Sequence, residues 1–235
     1  MMKRGLPLLL CFLAVVAGCH NRPDAPANMV LVDSGRVVLG GSSGPAGRNS
    51  ENGIPVKAFF IDTYEATNSR YDSCVERGGC TLRKTVLPSW FARPDQPAVN
   101  VTFDQAWALC RFEGKRLPTE IQWERAATSE KRAGVELTGN NLASKAPEGF
   151  RFTFRVGAMT RDATASGLRD MAGNASEWVA QSDPGSGDGP VEHRVARGGN
   201  FLSTPDRPGI YERRVFPEVN FTALWLGFRC IKDAQ

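Results

Sequence analysis

The sequence predicts an α+β domain in which short helices and strands are joined by much irregular structure. Glycine (24 residues) and proline (15 residues) are scattered along the 235-residue chain and divide it into short segments. Several segments alternate between apolar and polar residues, which is typical of strands. Three others place apolar residues at helical spacing behind a residue that can cap a helix.

The predicted strands occur near the start of the folded part and in its second half. Residues 29–41, MVLVDSGRVVLGG, alternate and turn as a short hairpin does, and residues 58–67, AFFIDTYEAT, favour another strand. Further short strands are predicted near Phe152–Val156, His193–Gly198 and Leu226–Ile231. The chain between them is expected to be mostly loop.

Two helices are predicted in the first half of the chain. The first is capped by Thr67 or Asn68 and ends at Gly78–Gly79. The second begins after Thr102, carries apolar residues on one face, and ends at Gly114.

A third predicted helix follows directly. Thr119 can accept from the backbone N–H of Gln122 while the Gln122 side chain reaches back, which is a capping box that opens a helix through Ala127. The GKRLP segment before it is therefore a tight link between two helices.

The N-terminal residues have the pattern of an export signal. Lys3 and Arg4 precede an apolar run that is too short to span a bilayer. The run ends in residues 16–19, Val-Ala-Gly-Cys, which match the bacterial lipobox. We therefore expect residues 1–18 to be a signal peptide and Cys19 to be acylated, with an ordinary signal peptide as the alternative.

Acylation would anchor the chain to a membrane without any further membrane segment. Residues 19–27 are polar and proline-rich, as expected for a tether, and residues 28–233 form the predicted domain. His20 follows Cys19, where many inner-membrane lipoproteins of Gram-negative bacteria carry Asp, so the outer membrane is the expected location rather than the inner membrane.

Charge excludes a nucleic-acid-binding function. Removing Lys3 and Arg4 with the signal peptide lowers the formal charge from +4 to +2. The remaining basic clusters, such as Arg213-Arg214, are short and interspersed with acids, whereas a nucleic-acid binder carries a basic stripe.

Four cysteines remain in the folded part, an even number that suits an oxidising compartment. They are Cys74, Cys80, Cys110 and Cys230. Two disulfides are the expected arrangement. Zinc is the alternative, but no CxxC pair occurs and His193 is the single histidine of the folded part.

Taken in order, several blocks of the sequence resemble the formylglycine-generating enzyme family, whose domain is also called the sulfatase-modifying factor domain. The blocks include GKRLPTEIQWERAA, DMAGNASEW, RGGNF and LGFRC, and they extend over nearly all of the folded part. The resemblance implies a fold of the C-type-lectin superfamily with little regular structure. It also implies a disulfide between Cys110 and Cys230, which leaves Cys74 and Cys80 to form a second disulfide across a short loop.

The resemblance further implies a structural calcium ion. In residues 170–177 two carboxylates bracket a glycine-containing turn, so that hard oxygen ligands can converge. The implied ligands are Asp170, the carbonyls of Gly173 and Ala175, and Glu177. The alternative is a turn held only by hydrogen bonds from side chains to the backbone. A second, weaker calcium site is implied at Asn141, Glu148 and Phe150.

The chain departs from the family at the copper site. Relatives that convert a sulfatase cysteine to formylglycine bind copper through two thiolates placed soon after RGGSF. Ser203 and Pro208 stand at those places, and Asn200 replaces the serine of that block. Soft thiolates suit Cu(I), so no copper is expected, and one histidine does not suffice for the non-haem iron centre of other relatives.

These observations predict a lipid-anchored protein that is not a formylglycine-generating oxidase. It would instead bind an envelope protein, a peptide or a glycan through a groove beside residues 200–216. The alternative is an enzyme of the superfamily with different, metal-dependent oxidation chemistry in the periplasm. The groove residues expected to contact the partner are Asn200, Ser203, Arg207, Arg213 and Arg214.

Overall fold

The computed structural model describes residues 25–40, 53–129, 152–158, 163–180, 193–203, 209–218 and 220–234. These ranges contain three α-helices, α1 (Asn68–Glu76), α2 (Phe103–Phe112) and α3 (Glu120–Thr128), and two short 3₁₀ helices, Ser89–Phe91 and Gly209–Tyr211. Their strands are β1 (Met29–Val32), β2 (Gly35–Val37), β3 (Ile54–Val56), β4 (Phe59–Asp62), β5 (Ser176–Val179), β6 (Arg194–Arg197), β7 (Arg213–Phe216), β8 (Leu226–Gly227) and β9 (Ile231–Asp233). The α+β class is confirmed.

All three predicted helices are present, and each is capped by a threonine. Thr67 caps α1 by accepting from the backbone N–H of Arg70. Thr119 and Gln122 form the expected capping box at α3. Thr102 and Gln105 form a second one at α2, because the residue at the third helical position is again glutamine.

The strands form three small sheets. β4 lies between β1 and β9 in an antiparallel sheet, so that it joins the two ends of the described chain. β2 pairs with β3, and the largest sheet has the order β7-β6-β5-β8, in which only the β5–β8 pair is parallel. Helix α3 packs against β2, β3 and β6 and thereby links two of these sheets.

The predicted hairpin over residues 29–41 is wrong. β1 and β2 both form, but β1 pairs with β4 and β2 pairs with β3. Val30 and Val32 of β1 are buried in the same core cluster as Phe59 and Ile61 of β4, and burial of these shared faces selects the partner strand.

The other strand predictions have mixed outcomes. Residues 152–158 have no regular structure, so the strand predicted at Phe152–Val156 is wrong. β6 lies where a strand is expected at His193–Gly198, whereas the segment Leu226–Ile231 is split between β8 and β9. β3, β5 and β7 were not predicted.

Two disulfides connect the four cysteines of the folded part in the pairing that the resemblance implies. Cys110 of α2 bonds to Cys230, with a sequence separation of 120 residues. Cys74 and Cys80 close a local loop at the end of α1. Both pairs border the apolar cluster that contains Tyr71, Leu109 and Trp178.

The expected signal peptide, residues 1–18, and the expected acylation site, Cys19, lie outside the described residues. None of the helices in the described ranges is both long enough and apolar enough to cross a membrane.

Candidate functional site

The turn that was expected to bind calcium leads directly into β5. Asp170 and Asn174 both adopt positive φ angles, near 59° and 63°, which lets the chain fold back within five residues. The side chain of Asp170 accepts from the backbone N–H of Gly157 at 2.5 Å, and that of Asn174 accepts from Phe154 N–H at 2.9 Å. Residues 152–158 therefore hold the turn in place.

Glu177, the last expected ligand of this turn, is fully engaged by protein groups. The guanidinium of Arg229 donates to both carboxylate oxygens of Glu177, at 2.7 to 2.9 Å. The indole N–H of Trp123 donates to the same carboxylate at 2.7 Å. All three side chains are buried, so Glu177 belongs to an internal ion pair.

Arg229 connects several parts of the fold around this carboxylate. Its remaining N–H groups donate to the carbonyls of Asp62 and Thr63, at the end of β4, and of Arg169, before the turn. Burial lowers the pKa of Arg229, but the charge of Glu177 and the hydrogen bonds to it raise the pKa to a net value above its ordinary one. The guanidinium is therefore charged wherever the domain is folded.

A third carboxylate, Glu65, completes the cluster and was missed by the sequence reasoning. Glu65 is buried, and neither of its side-chain oxygens has a hydrogen-bond donor within the part of the chain that the structure describes. Burial raises the pKa of Glu65 well above its ordinary value, and the neighbouring charge of Asp170 raises it further. Glu65 follows β4 in sequence, about 100 residues before the turn, so no local motif connects the two.

The composition of this cluster fits a divalent cation. When ionised, Glu65, Asp170 and Glu177 carry three negative charges against the single positive charge of Arg229. The carboxylate oxygens of Glu65 and Asp170 are ligands that suit calcium. The backbone carbonyls of Gly173 and Ala175, in the turn that begins at Asp170, suit it as well. The expected second site at Asn141, Glu148 and Phe150 lies outside the described residues.

Ser203, which stands at one of the two places where relatives carry a copper thiolate, and the nearby Asn200 are buried and hydrogen-bonded to each other. Ser203 Oγ accepts from the backbone N–H of Asn200 at 3.0 Å, and the side chain of Asn200 accepts from Leu202 N–H. The Asn200 amide also donates to Ser176 Oγ. Asn200 and Ser203 therefore stabilise a turn and cannot form the surface of a groove, which corrects that expectation.

Arg213 of β7 is exposed and Arg214 is partly exposed, and both lie where the groove was expected. Arg213 donates to both oxygens of Glu120, at 2.6 and 3.1 Å. Arg214 pairs with Glu212, and its guanidinium lies 5.1 Å from the ring centroid of Trp225. Arg207 and Pro208 lie outside the described residues.

A second buried ion-pair network lies behind β7. Arg197 of β6 is buried and pairs with Glu124, and it lies 3.4 Å from Glu120. Glu124 also accepts from the backbone N–H of Gly40. Burial lowers the pKa of Arg197. Glu120 and Glu124, which are one helical turn apart, thus have structural partners.

A group of possible metal ligands at Asp62, Glu113 and Cys230 is explained by protein contacts. Cys230 is disulfide-bonded, and both carboxylates bind Arg70 and Lys115. Burial raises the pKa of Glu113, but the hydrogen bonds and charges of Arg70 and Lys115 outweigh it and lower the pKa below its ordinary value.

The family of the chain follows from its match to a known domain. The model of the sulfatase-modifying factor enzyme 1-like domain matches residues 17–234. The chain belongs to this family. The sulfatase-modifying factor domain thus includes every described α-helix and β-strand.

Relatives of this sulfatase-modifying factor protein differ in the activity that their names state. The inactive C-alpha-formylglycine-generating enzyme 2 of Mus musculus is 28% identical, over 97% of this chain and 93% of its own length. Hercynine oxygenase of Mycolicibacterium smegmatis is 26% identical, over 87% of this chain and 60% of its own length.

The fold agrees with that of a solved structure. The crystal structure of CarF has a TM-score of 0.66 with this protein, covers 89% of this chain and 99% of CarF, and is 20% identical. At this level of identity the similarity concerns the fold alone. It supports the formylglycine-generating-enzyme-like fold that the sequence predicts.

Proposed function

We propose that this chain is an exported, lipid-anchored protein whose sulfatase-modifying factor domain binds a partner and does not act as a formylglycine-generating oxidase. The observation that carries the proposal concerns Ser203, which stands at the first thiolate position. Its hydroxyl oxygen accepts a hydrogen bond from the backbone N–H of Asn200. The four cysteines of the folded part are all in disulfides, so none of them offers a thiolate for copper. The similarity to an inactive mouse relative supports the same conclusion.

The partner-binding face that we favour is β7. Within the described chain β7 is an edge strand of its sheet, so one row of its backbone N–H and C=O groups faces away from β6. Arg213 and Val215 are exposed on this strand, and Arg214 is partly exposed. An edge of this kind can accept an extended segment of an envelope protein or a peptide through main-chain hydrogen bonds.

An Arg213→Ala/Arg214→Ala variant should lose its envelope partners at least tenfold in a pull-down with solubilised envelope proteins. The fold should survive, because Glu120 keeps Arg197 as a partner and Ser176 Oγ keeps Asn200 and Gly198. The measurement is the amount of each captured protein, compared with wild type.

The matched control is Arg77→Ala/Arg111→Ala, which removes two exposed arginines from the C-terminal ends of α1 and α2. It should capture the same partners as wild type. Identical partner sets for the β7 variant and wild type would show that β7 is not the binding face.

The second candidate function is metal-dependent oxidation, and the similarity to hercynine oxygenase is what favours it. The two proposals differ in the metal they require. Elemental analysis of the purified protein separates them, since stoichiometric copper or iron supports the enzyme and their absence supports the binding module.

We further propose that calcium occupies the cluster around Glu65, with Asp170, Glu65 and carbonyls of Gly173 and Ala175 as its oxygen ligands. The support is the buried pair of carboxylates, Glu65 and Asp170, and the two Glu65 oxygens that lack a donor in the described chain. Glu177 would not bind the ion directly, because Arg229 donates to both of its oxygens. Its negative charge would still stabilise a cation bound beside it. The ion would stabilise the turn and has no catalytic role in this proposal.

Calcium is expected to raise the melting temperature of the wild-type protein, whereas a Glu65→Gln variant should lose most of that increase. Calcium at 100 times its Kd would contribute about 2.7 kcal/mol, or roughly 5–10 °C in a domain of this size. The measurement is thermal unfolding with calcium and with EGTA, combined with the calcium content of each protein.

A Glu76→Gln variant is the control, because Glu76 is an exposed carboxylate on α1. It should respond to calcium as wild type does. An unchanged calcium response in the Glu65→Gln variant would show that Glu65 is not a calcium ligand. The absence of a response in the wild-type protein would show that the proposed calcium site does not exist.

A further inference from the structure

An exposed loop follows α1 and includes the 3₁₀ helix at Ser89–Phe91, and three of its apolar side chains face solvent. Leu82 is 78% exposed, Val86 is 97% exposed and Trp90 is 55% exposed. Single exposed apolar residues are common on protein surfaces, but these three lie within nine residues of one another. We call residues 82–93 the exposed loop.

The exposed loop is also basic. Its residues include Arg83, Lys84 and Arg93 and neither aspartate nor glutamate. Lys84 and Arg93 are exposed on the loop itself. The acidic residues beside it are Asp72, which pairs with Arg83 at 3.0 Å, and the exposed Glu76 and Asp95.

The base of the loop is firmly attached to the domain. The guanidinium of Arg83 donates to the side chain of Asn68 at 2.8 Å and lies 4.4 Å from the ring centroid of Tyr71. At the other end Asn68 donates to the carbonyl of Phe91, whose ring packs against Phe201. Because both ends of the loop are attached to the domain, its backbone is already ordered. Contact between its apolar side chains and a partner would therefore cost little conformational entropy.

We propose that the exposed loop contacts the surface of an anionic phospholipid bilayer. Leu82, Val86 and Trp90 would enter the headgroup region, and Lys84 and Arg93 would lie against lipid phosphates. Basic residues interleaved with apolar ones are typical of interfacial segments, and tryptophan is enriched at this depth of the membrane. Each basic residue near an anionic surface adds to the attraction.

This inference rests on the proposed lipid anchor, which would keep the domain beside the bilayer. Five residues lie between Cys19 and Ala25, the first described residue, and an extended chain over those six Cα–Cα steps reaches at most about 20 Å. The loop would then give the anchored domain a second membrane contact and a defined orientation. A cavity of about 500 Å³ between α1 and the loop is the feature that a peptide partner would use instead.

Vesicle binding by a form without the lipid tests the proposal. All described helices, strands and disulfides lie within residues 25–234, so the chain from His20 onward contains every one of them. This form should co-sediment with vesicles of phosphatidylethanolamine and phosphatidylglycerol at least tenfold better than with vesicles of phosphatidylcholine. Brominated lipids should quench part of its tryptophan fluorescence.

Two variants locate the contact. A Leu82→Ser/Val86→Ser/Trp90→Ser variant should bind the anionic vesicles at least tenfold more weakly than the parent form. A Val38→Ser variant, which changes an exposed valine elsewhere, should bind as the parent does. Circular dichroism of each form establishes that the fold is retained.

The remaining outcomes overturn the proposal. Absence of vesicle binding by the parent form, or equal binding by the triple variant, would exclude the loop as a membrane contact. Capture of an envelope protein that depends on the loop, without vesicle binding, would assign the loop to a protein partner. Labelling of the full chain and of its Cys19→Ser variant with radioactive palmitate tests the anchor separately, so failure of the anchor and failure of the loop contact are distinguishable.

Discussion

An Arg229→Met variant is expected to lose about 3–5 kcal/mol of unfolding free energy, because it leaves the buried carboxylate of Glu177 without its counter-charge. The substitution also removes three hydrogen bonds to backbone carbonyls at the end of β4 and before the turn that begins at Asp170. Urea unfolding followed by tryptophan fluorescence measures the difference.

Two comparisons separate the buried charge from the loss of side-chain volume. A double variant, Arg229→Met/Glu177→Gln, should be more stable than Arg229→Met alone, since the unpaired carboxylate is gone and Trp123 can still donate to the amide oxygen. An Arg116→Met variant breaks the ion pair with the exposed Asp233 and the hydrogen bond to Gln122, and should cost about 1–2 kcal/mol. An Arg229→Met loss as small as that of Arg116→Met would contradict the proposed importance of the buried pair.

Removal of the long-range disulfide by Cys110→Ala/Cys230→Ala is expected to lower the unfolding free energy by about 4–5 kcal/mol. The bond closes a loop of 120 residues, and in the chain-entropy model a longer loop restricts the unfolded chain more strongly. Urea unfolding of the purified variant in oxidising buffer is the measurement.

The local disulfide provides the internal comparison. Its loop has a sequence separation of only 6 residues, so Cys74→Ala/Cys80→Ala should cost about 2 kcal/mol in the same model. Equal losses from the two variants would mean that native-state packing around the sulfurs, rather than loop length, determines the stabilisation.

The helices were predictable because their signals are local. A threonine cap with glutamine at the third helical position satisfies N–H groups at the start of α2 and of α3, and both residues lie within one turn of each other. Strand pairing is not local. β1 and β2 are separated by two residues, yet each pairs with a different, later strand, because the core buries their faces against those partners.

The candidate cation site likewise combines a local feature, which the sequence reveals, with long-range contacts, which it does not. The turn that contains Asp170 and Glu177 was found from the sequence, since its carboxylates and glycine lie within eight residues. Glu65 and Arg229 come from segments far from that turn and meet it only in the folded domain. No periodicity or spacing would have paired them, because their proximity results from β4, β5 and the C-terminal segment packing together.

The sequence by itself determined the α+β class, the three helices and the family, because these depend on residues that are close along the chain or on blocks that follow in order. It also predicted the lipobox at Cys19, which stays a prediction. The tertiary structure decided which strands pair, that Asn200 and Ser203 are buried in a turn, and that Glu177 is held by Arg229 while Glu65 lacks a donor within the described chain. These features depend on burial and charge among distant segments, and burial and charge are properties of the packed domain.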